Sequence, residues 1–292
     1  MNGVKDLSES PIALTIAGFD PSSGAGVTAD LQVFADHGLR GISAITALTV
    51  QSTRQVRRVE PVGAVLLRES LECLAQDLRD DGVKIGGVKI GMLATADLVG
   101  VVAGWLGGAR IPRKLVVLDP VIRSSSGAEL LSAEGVERLR SELLPLVGWV
   151  TPNLAEAGVL VGEGAPGREG LPGVAGRIQE LGAGRGLTDI GTLALGGGAG
   201  LNVVVTGGHL EPPDDFLLTA EDEEVWFPGE RVEAQGFHGS HGTGCVFSSA
   251  LLCGLLRGDS KVEVVRGAKA WVVRRLGGCL PGEGVPGNGQ PD

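Results

Sequence analysis

The stretch Ile12-Ala13-Leu14-Thr15-Ile16-Ala17-Gly18-Phe19-Asp20-Pro21-Ser22-Ser23-Gly24-Ala25-Gly26 decides how the chain is to be read. Ile12–Ala17 is a continuous apolar run without polar alternation, as expected of a strand covered on both faces in a parallel sheet. The glycine-rich turn leads straight into a helical stretch, Gly26–His37, and ligands of open α/β sheets bind beyond the carboxyl ends of such strands. The same rhythm recurs outward along the chain. Short apolar runs at Gly87–Ile90, Leu115–Leu118, Trp149–Thr151 and Leu201–Val205 read as strands. Pro61–Asp80, Ala94–Leu106, Ser132–Leu144, Ala155–Val161 and Gly173–Leu181 read as helices between them. Pro228–Gln235 offers another short strand, and Thr243–Leu256 and Val262–Leu276 two more helices. Alternating strands and helices predict one three-layer α/β/α domain on a mostly parallel central sheet. Its core spans about residues 11–276. A glycine-rich loop at 182–200 and a frayed tail at 281–292 fall outside the rhythm.

Composition narrows the function. Of 292 residues, 43% are hydrophobic, enough for a large core. Acidic residues outnumber basic ones 35 to 25, for a net charge of −10, and no Lys/Arg stripe follows, so nucleic acid is excluded as an expected partner. The four cysteines form no CxxC pair and no zinc-like spacing with histidine, which fits a reducing cytoplasm. No signal peptide is legible, and Val246–Leu256 is too short to cross a bilayer, so no membrane role is expected.

Four motifs fall at successive strand ends. Within the first turn Gly24–Ala29 satisfies GxGxxA, but Thr46–Thr53 contains no acid to hold a ribose, which argues against a nicotinamide enzyme. The second, His241-Gly242-Thr243-Gly244-Cys245, opens a buried helix whose first-turn N–H groups and positive dipole end make an anion hole. Cys245 in that turn reads either as a thiol with lowered pKa, serving as base or polar anchor, or as a small buried packing residue. Asp119-Pro120-Val121 and Pro152-Asn153-Leu154-Ala155-Glu156 add oxygen ligands suited to Mg²⁺ with nucleotide phosphates; the plainer readings are a turn aspartate and helix-start electrostatics. No GxxxxGK[ST], HExxH or strand-borne GxSxG is present.

Taken in order, these motifs resemble the ribokinase-like superfamily of small-molecule kinases. Ala13–Gly26 with Ala29-Asp30-Leu31, Ile45–Thr53, Lys89–Leu93, Leu118–Val121, Thr151–Ala157, Gly207–Leu210 and His241–Cys245 resemble the hydroxymethylpyrimidine/phosphomethylpyrimidine kinases of thiamine biosynthesis. The resemblance covers about residues 11–275. It implies transfer of the ATP γ-phosphate to an aminopyrimidine alcohol and then to its monophosphate. Carried over by position, Asp30 and Gln51 would hydrogen-bond the ring, with Gly18, Ala25, Met92 and Val121 as apolar walls. Gly242, Thr243, Gly244 and Cys245 would form the anion hole, where many superfamily members place an aspartate base at the position of Cys245. Asp119, Asn153 and Glu156 would organise Mg²⁺, and Thr206 and Gly208 would lie with Asn153 along the nucleotide. Two lysines usual in the family are Thr206 and Ser125 here, with Arg123 nearby. The resemblance also implies frequent homodimers. Pyridoxal or pyridoxine kinase is the nearest alternative activity, and a pyrimidine-binding protein without turnover the alternative of another class.

Overall fold

The structure, a computed structural model, describes residues 11–124, 127–183, 200–235 and 239–277. In chain order its elements are β1 (Ile12–Phe19), α1 (Gly26–Asp36), β2 (Arg40–Gln51), β3 (Val56–Pro61), α2 (Ala64–Asp80), β4 (Ile85–Ile90), α3 (Ala96–Gly108), β5 (Val116–Leu118), α4 (Ala133–Arg138), β6 (Trp149–Val150), α5 (Leu154–Val161), α6 (Leu171–Gly182), β7 (Asn202–Val205), β8 (Asp215–Leu218), β9 (Glu224–Phe227), α7 (Thr243–Arg257) and α8 (Lys261–Leu276). Among the described residues the strands form one sheet in the order β3-β2-β1-β4-β5-β6-β7-β8-β9. The six from β2 to β7 run parallel, as their continuous apolar runs predict, and β3, β8 and β9 each pair antiparallel with the neighbour nearer the centre.

Strand alternation divides the core into two layers. Val116 and Leu118 of β5, with Val203 and Val205 of β7, pack under α2 to α6; Val117 and Val204 between them pack under α1, α7 and α8. The expected three-layer α/β/α arrangement is therefore present. No described helix is long and apolar enough to cross a membrane.

Three expectations change in detail. The strand expected at Pro228–Gln235 is absent. The pairing stops at Phe227, because Pro228 has no N–H to donate, and the following segment is tied down irregularly by Gln235 N–H donating to the Leu276 carbonyl. The edge strand β3 escapes a pattern search, because Arg57, Arg58 and Glu60 leave it almost without buried side chains; such charges also guard an edge against pairing with another chain. The helix expected over Ser132–Leu144 loses α-helical form after Arg138, widening into a π-turn at Leu139–Leu143 and tightening to a 3₁₀ turn around Pro145. Nearly all of the 182–200 loop and the whole 281–292 tail lie outside the described residues.

Candidate active site

Carboxyl ends of β1, β4, β5, β6 and β7 share one edge of the sheet, and the loops leaving them meet the start of α7. The first loop is folded around Asp20. Its Oδ1 accepts from the Ser22 N–H and Oγ–H at 2.8 Å, and its Oδ2 from the Ala25 N–H at 3.0 Å. Gly26 has φ +63°, and a Cβ there would stand 2.2 Å from the Gly18 carbonyl oxygen, so the turn admits only glycine. Burial alone would raise the Asp20 pKa; hydrogen bonds from His241 and Ser22 outweigh it and hold the carboxyl below the usual range.

Across from this loop, Gly242 starts α7 at φ +76°, and a Cβ on it would fall 1.8 Å from the Gly24 carbonyl oxygen. Two backbones thus cross at van der Waals distance, and the first-turn N–H groups of Thr243, Gly244 and Cys245 face the shared edge. Asp119, at the end of β5 and 4% exposed, lies over this helix start and accepts a 3.3 Å hydrogen bond from Ser248 Oγ. Glu156 closes a capping box at the start of α5: its Oε2 accepts from the Asn153 N–H at 2.9 Å, and its own N–H donates to Asn153 Oδ1 at 3.0 Å. Burial and then the charge of Asp119 push Glu156 up to about 8, and burial also raises Asp119. Two buried carboxylates that resist ionising together are the donor set a divalent cation would relieve. Mg²⁺ commonly takes one or two carboxylates and completes its shell with water and phosphate, so this pair fits it. Among the described residues no cluster of three or more His, Cys, Asp or Glu side chains is placed to hold a metal ion.

Asp30 does not reach the cleft. It is fully buried; its Oδ1 accepts from Lys89 at 3.0 Å and Ser249 at 2.7 Å, and its Oδ2 from Lys89 at 2.9 Å and Thr15 at 2.6 Å. These four bonds fill a carboxylate's capacity, leaving none for a substrate, so the ring contact expected of Asp30 is corrected to a structural one. Burial opposes the Lys89 charge, but Asp30 beside it wins and holds the ammonium above its ordinary pKa. Of the two readings open for Cys245, the thiol with lowered pKa is set aside in favour of the small buried residue. Burial pushes Cys245 up to about 12, Asp119 and Asp30 add to the rise, and Lys89 offsets only part of it.

The remaining candidates fall into two groups. Gly18 and Met92 are in contact, a Cβ on Gly18 meeting Met92 Cε at 2.3 Å; Met92 packs with Ala47 and Leu130, and Val121 joins them. Gln51, at the end of β2, reaches His241, which bonds Asp20 and so connects to Ala25. On the other side of the α7 start, Thr206 and Gly208 line a cavity of about 160 Å³ with Thr243, Gly244 and Phe247. Thr206 pairs with Asn153 across the ends of β6 and β7. Lys269 of α8 opens onto the same cavity, its Nζ donating to Asp215 Oδ2 at 2.8 Å. Ser125 lies outside the described residues.

Sequence reading missed Asp20, Lys89, His241 and Lys269 as individual residues. Lys89 had a signal: a lysine between Val88 and Ile90 in a doubly covered strand must find a buried partner. Asp20 and His241 sat inside quoted motifs without a role, and Lys269 had none, since a lysine on an amphipathic helix reads as solvated.

The family model described as phosphomethylpyrimidine kinase matches residues 20–283. A hydroxymethylpyrimidine/phosphomethylpyrimidine kinase of Aquifex aeolicus is 36% identical over 266 residues, covering 91% of this chain and 94% of its own. The phosphomethylpyrimidine kinase of Clostridium difficile superimposes with a TM-score of 0.72 at 29% identity, over 91% of this chain and 99% of that one. The ADP complex of Bacillus subtilis pyridoxal kinase gives 0.70 at 29% identity over 89% of both chains. With its ribokinase-like α/β/α fold and these relatives, the chain belongs to the phosphomethylpyrimidine kinase family, the kinases of thiamine biosynthesis.

Proposed function

We propose that the protein transfers the γ-phosphate of ATP to the hydroxymethyl group of 4-amino-5-hydroxymethyl-2-methylpyrimidine, and then a second phosphate to the monophosphate formed. One observation carries this reading. The glycine-led start of α7, with Asp119 over it, borders the cavity lined by Thr206, Gly208 and Lys269 on one side; on the other it meets the first loop, whose Gly18 touches Met92, and His241 just before it reaches Gln51. An acceptor alcohol on one side and a nucleotide on the other would present their reacting ends to the same N–H groups.

The chain's own chemistry there is positioning and charge stabilisation. Gly18, Met92 and Val121 hold a flat ring by apolar contact, and Gln51 supplies hydrogen bonds that fix its rotation. Backbone N–H groups of residues 243–245 stabilise negative charge spreading over the phosphoryl oxygens, with no reorganisation at the moment of transfer. Asp119 and Glu156 would hold Mg²⁺, which would supply charge neutralisation between the phosphates. Cys245, kept as a thiol, acts as a contact at the acceptor oxygen rather than as a base; a loose phosphoryl-transfer transition state requires little early deprotonation. Lys269, which lines the same cavity as Thr206, would supply the positive charge there that the family's lysine at position 206 supplies elsewhere. The excess of acid over base, 35 to 25, and the lack of a basic stripe support a small molecule rather than nucleic acid as substrate.

Kinship with pyridoxal kinase favours a second reading, in which pyridoxal is also an acceptor. Steady-state kinetics of wild type and Gln51→Ala with both acceptors tests the assignment. The expected result is a KM for the pyrimidine raised about tenfold or more, the worth of one to two lost hydrogen bonds. An unchanged KM for the pyrimidine would remove Gln51 from the site.

A further inference from the structure

One ring nitrogen in the cleft faces two partners that cannot both be satisfied with that nitrogen in one protonation state and the amide in this orientation. Nε2 of His241 lies 2.8 Å from Asp20 Oδ2 and 2.9 Å from Gln51 Nε2. An ionised carboxylate only accepts, so the ring nitrogen that faces it carries a hydrogen. The same nitrogen then has no lone pair to accept from an amide N–H, and two donors would confront each other. An amide's oxygen and nitrogen are told apart only by their partners, and here the partners demand the oxygen. Asp20 is fixed in turn: the Ser22 hydroxyl and two backbone N–H groups hold its carboxylate at 3% exposure, so it cannot swing away to relieve the conflict.

We infer that Asp20 and His241 form a relay that turns Gln51 Oε1 toward His241 Nε2–H and its NH₂ into the cleft, making Gln51 a reader of hydrogen-bond acceptors on the substrate ring. Without the relay a glutamine side chain presents either end and selects nothing. With it, the site demands a lone pair at that point, which a ring nitrogen of an aminopyrimidine supplies and a ring C–H does not. His241 and Asp20 are positioning residues in this scheme. The inference rests on the proposed contact between Gln51 and the substrate.

The test combines a spectroscopic and a kinetic readout. In the wild-type protein with ¹⁵N-labelled histidine, one of four histidine rings, assigned by the loss of its signals in His241→Gln, is expected to show its hydrogen on Nε2. A bare Nε2 overturns the relay. Kinetically, His241→Leu is expected to raise KM for the pyrimidine about tenfold with kcat little changed, and His241→Gln, which keeps a donor, to recover most of it. Of two substrate analogues in which either ring nitrogen is replaced by C–H, one should lose affinity with wild type yet show no further loss with His241→Leu. If Gln51→Leu raises KM and His241→Leu does not, the relay is wrong and the Gln51 contact stands. If Gln51→Leu leaves KM unchanged, both are wrong.

Discussion

Burial decides the chemistry of the two most conspicuous residues. A thiol pushed up to about 12 stays protonated through neutral and mildly alkaline pH. The kcat profile of the kinase is therefore expected to show no thiol limb between pH 7 and 9, and Cys245→Ser to keep kcat within about tenfold of wild type, a loss near one hydrogen bond. A limb in that range which vanishes in Cys245→Ser would show that the thiolate takes part. The Lys89–Asp30 pair, with both side chains 0% exposed, makes the opposite kind of claim. Lys89→Met strands a buried carboxylate and is expected to lose about 3–5 kcal/mol in denaturant unfolding, whereas the double change Lys89→Met with Asp30→Leu should recover much of it. A loss below about 1 kcal/mol in the single variant would mean the pair is wetter than its burial indicates. The sequence could show that Gly242 to Cys245 opened a helix and that Asp119 ended a strand. It could not show that Asp30 would be spent on Lys89, Thr15 and Ser249, because those partners come from three other elements at separations of 15 to 219 residues.

Elements set the site by their ends. Gly242 combines a positive φ with a hypothetical Cβ 1.8 Å from the Gly24 carbonyl oxygen, so Gly242→Ala must either shift the first loop or unwind the first turn of α7. We expect kcat/KM to fall at least about a hundredfold, as for a misplaced phosphate cradle, with near-native far-UV circular dichroism. Near-wild-type kcat/KM would show the crossing to be slack. Elements with strong apolar patterning, β1, β4, β5, α7 and α8, were legible because burial on a known face dictates the pattern. The edge strands β3 and β9 were not, since an edge strand is fixed by its neighbour's hydrogen bonds rather than by its own composition, and β8, though buried and paired on both sides, is only four residues long; Pro228 ends β9 where the sequence reading begins a strand.

At the scale of the whole molecule, a concave edge crowded with acid stores a dependence on pH. Glu156 is pushed up to about 8 from an ordinary 4.5, so between those values the native protein keeps a proton that the unfolded chain has released. Its contribution to stability is complete below pH 4.5 and is lost as pH rises toward 8. Thermal unfolding without metal is expected to show Tm falling from pH 5.5 to 8.5. Glu156→Gln should flatten that slope, and Mg²⁺ with ATP should raise Tm most at the alkaline end. An identical slope in wild type and Glu156→Gln would refute the assignment. The same edge brings Gln51, through His241, and the cavity beside Lys269 to one helix start, so an acceptor and a nucleotide would meet there.

Phosphorylation by the purified protein with Mg²⁺ and ATP, of 4-amino-5-hydroxymethyl-2-methylpyrimidine, its monophosphate and pyridoxal side by side, tests this most directly. Conversion of both pyrimidines, with kcat/KM above that for pyridoxal, is the expected result. Conversion of pyridoxal alone, or tight pyrimidine binding with no turnover, would contradict it.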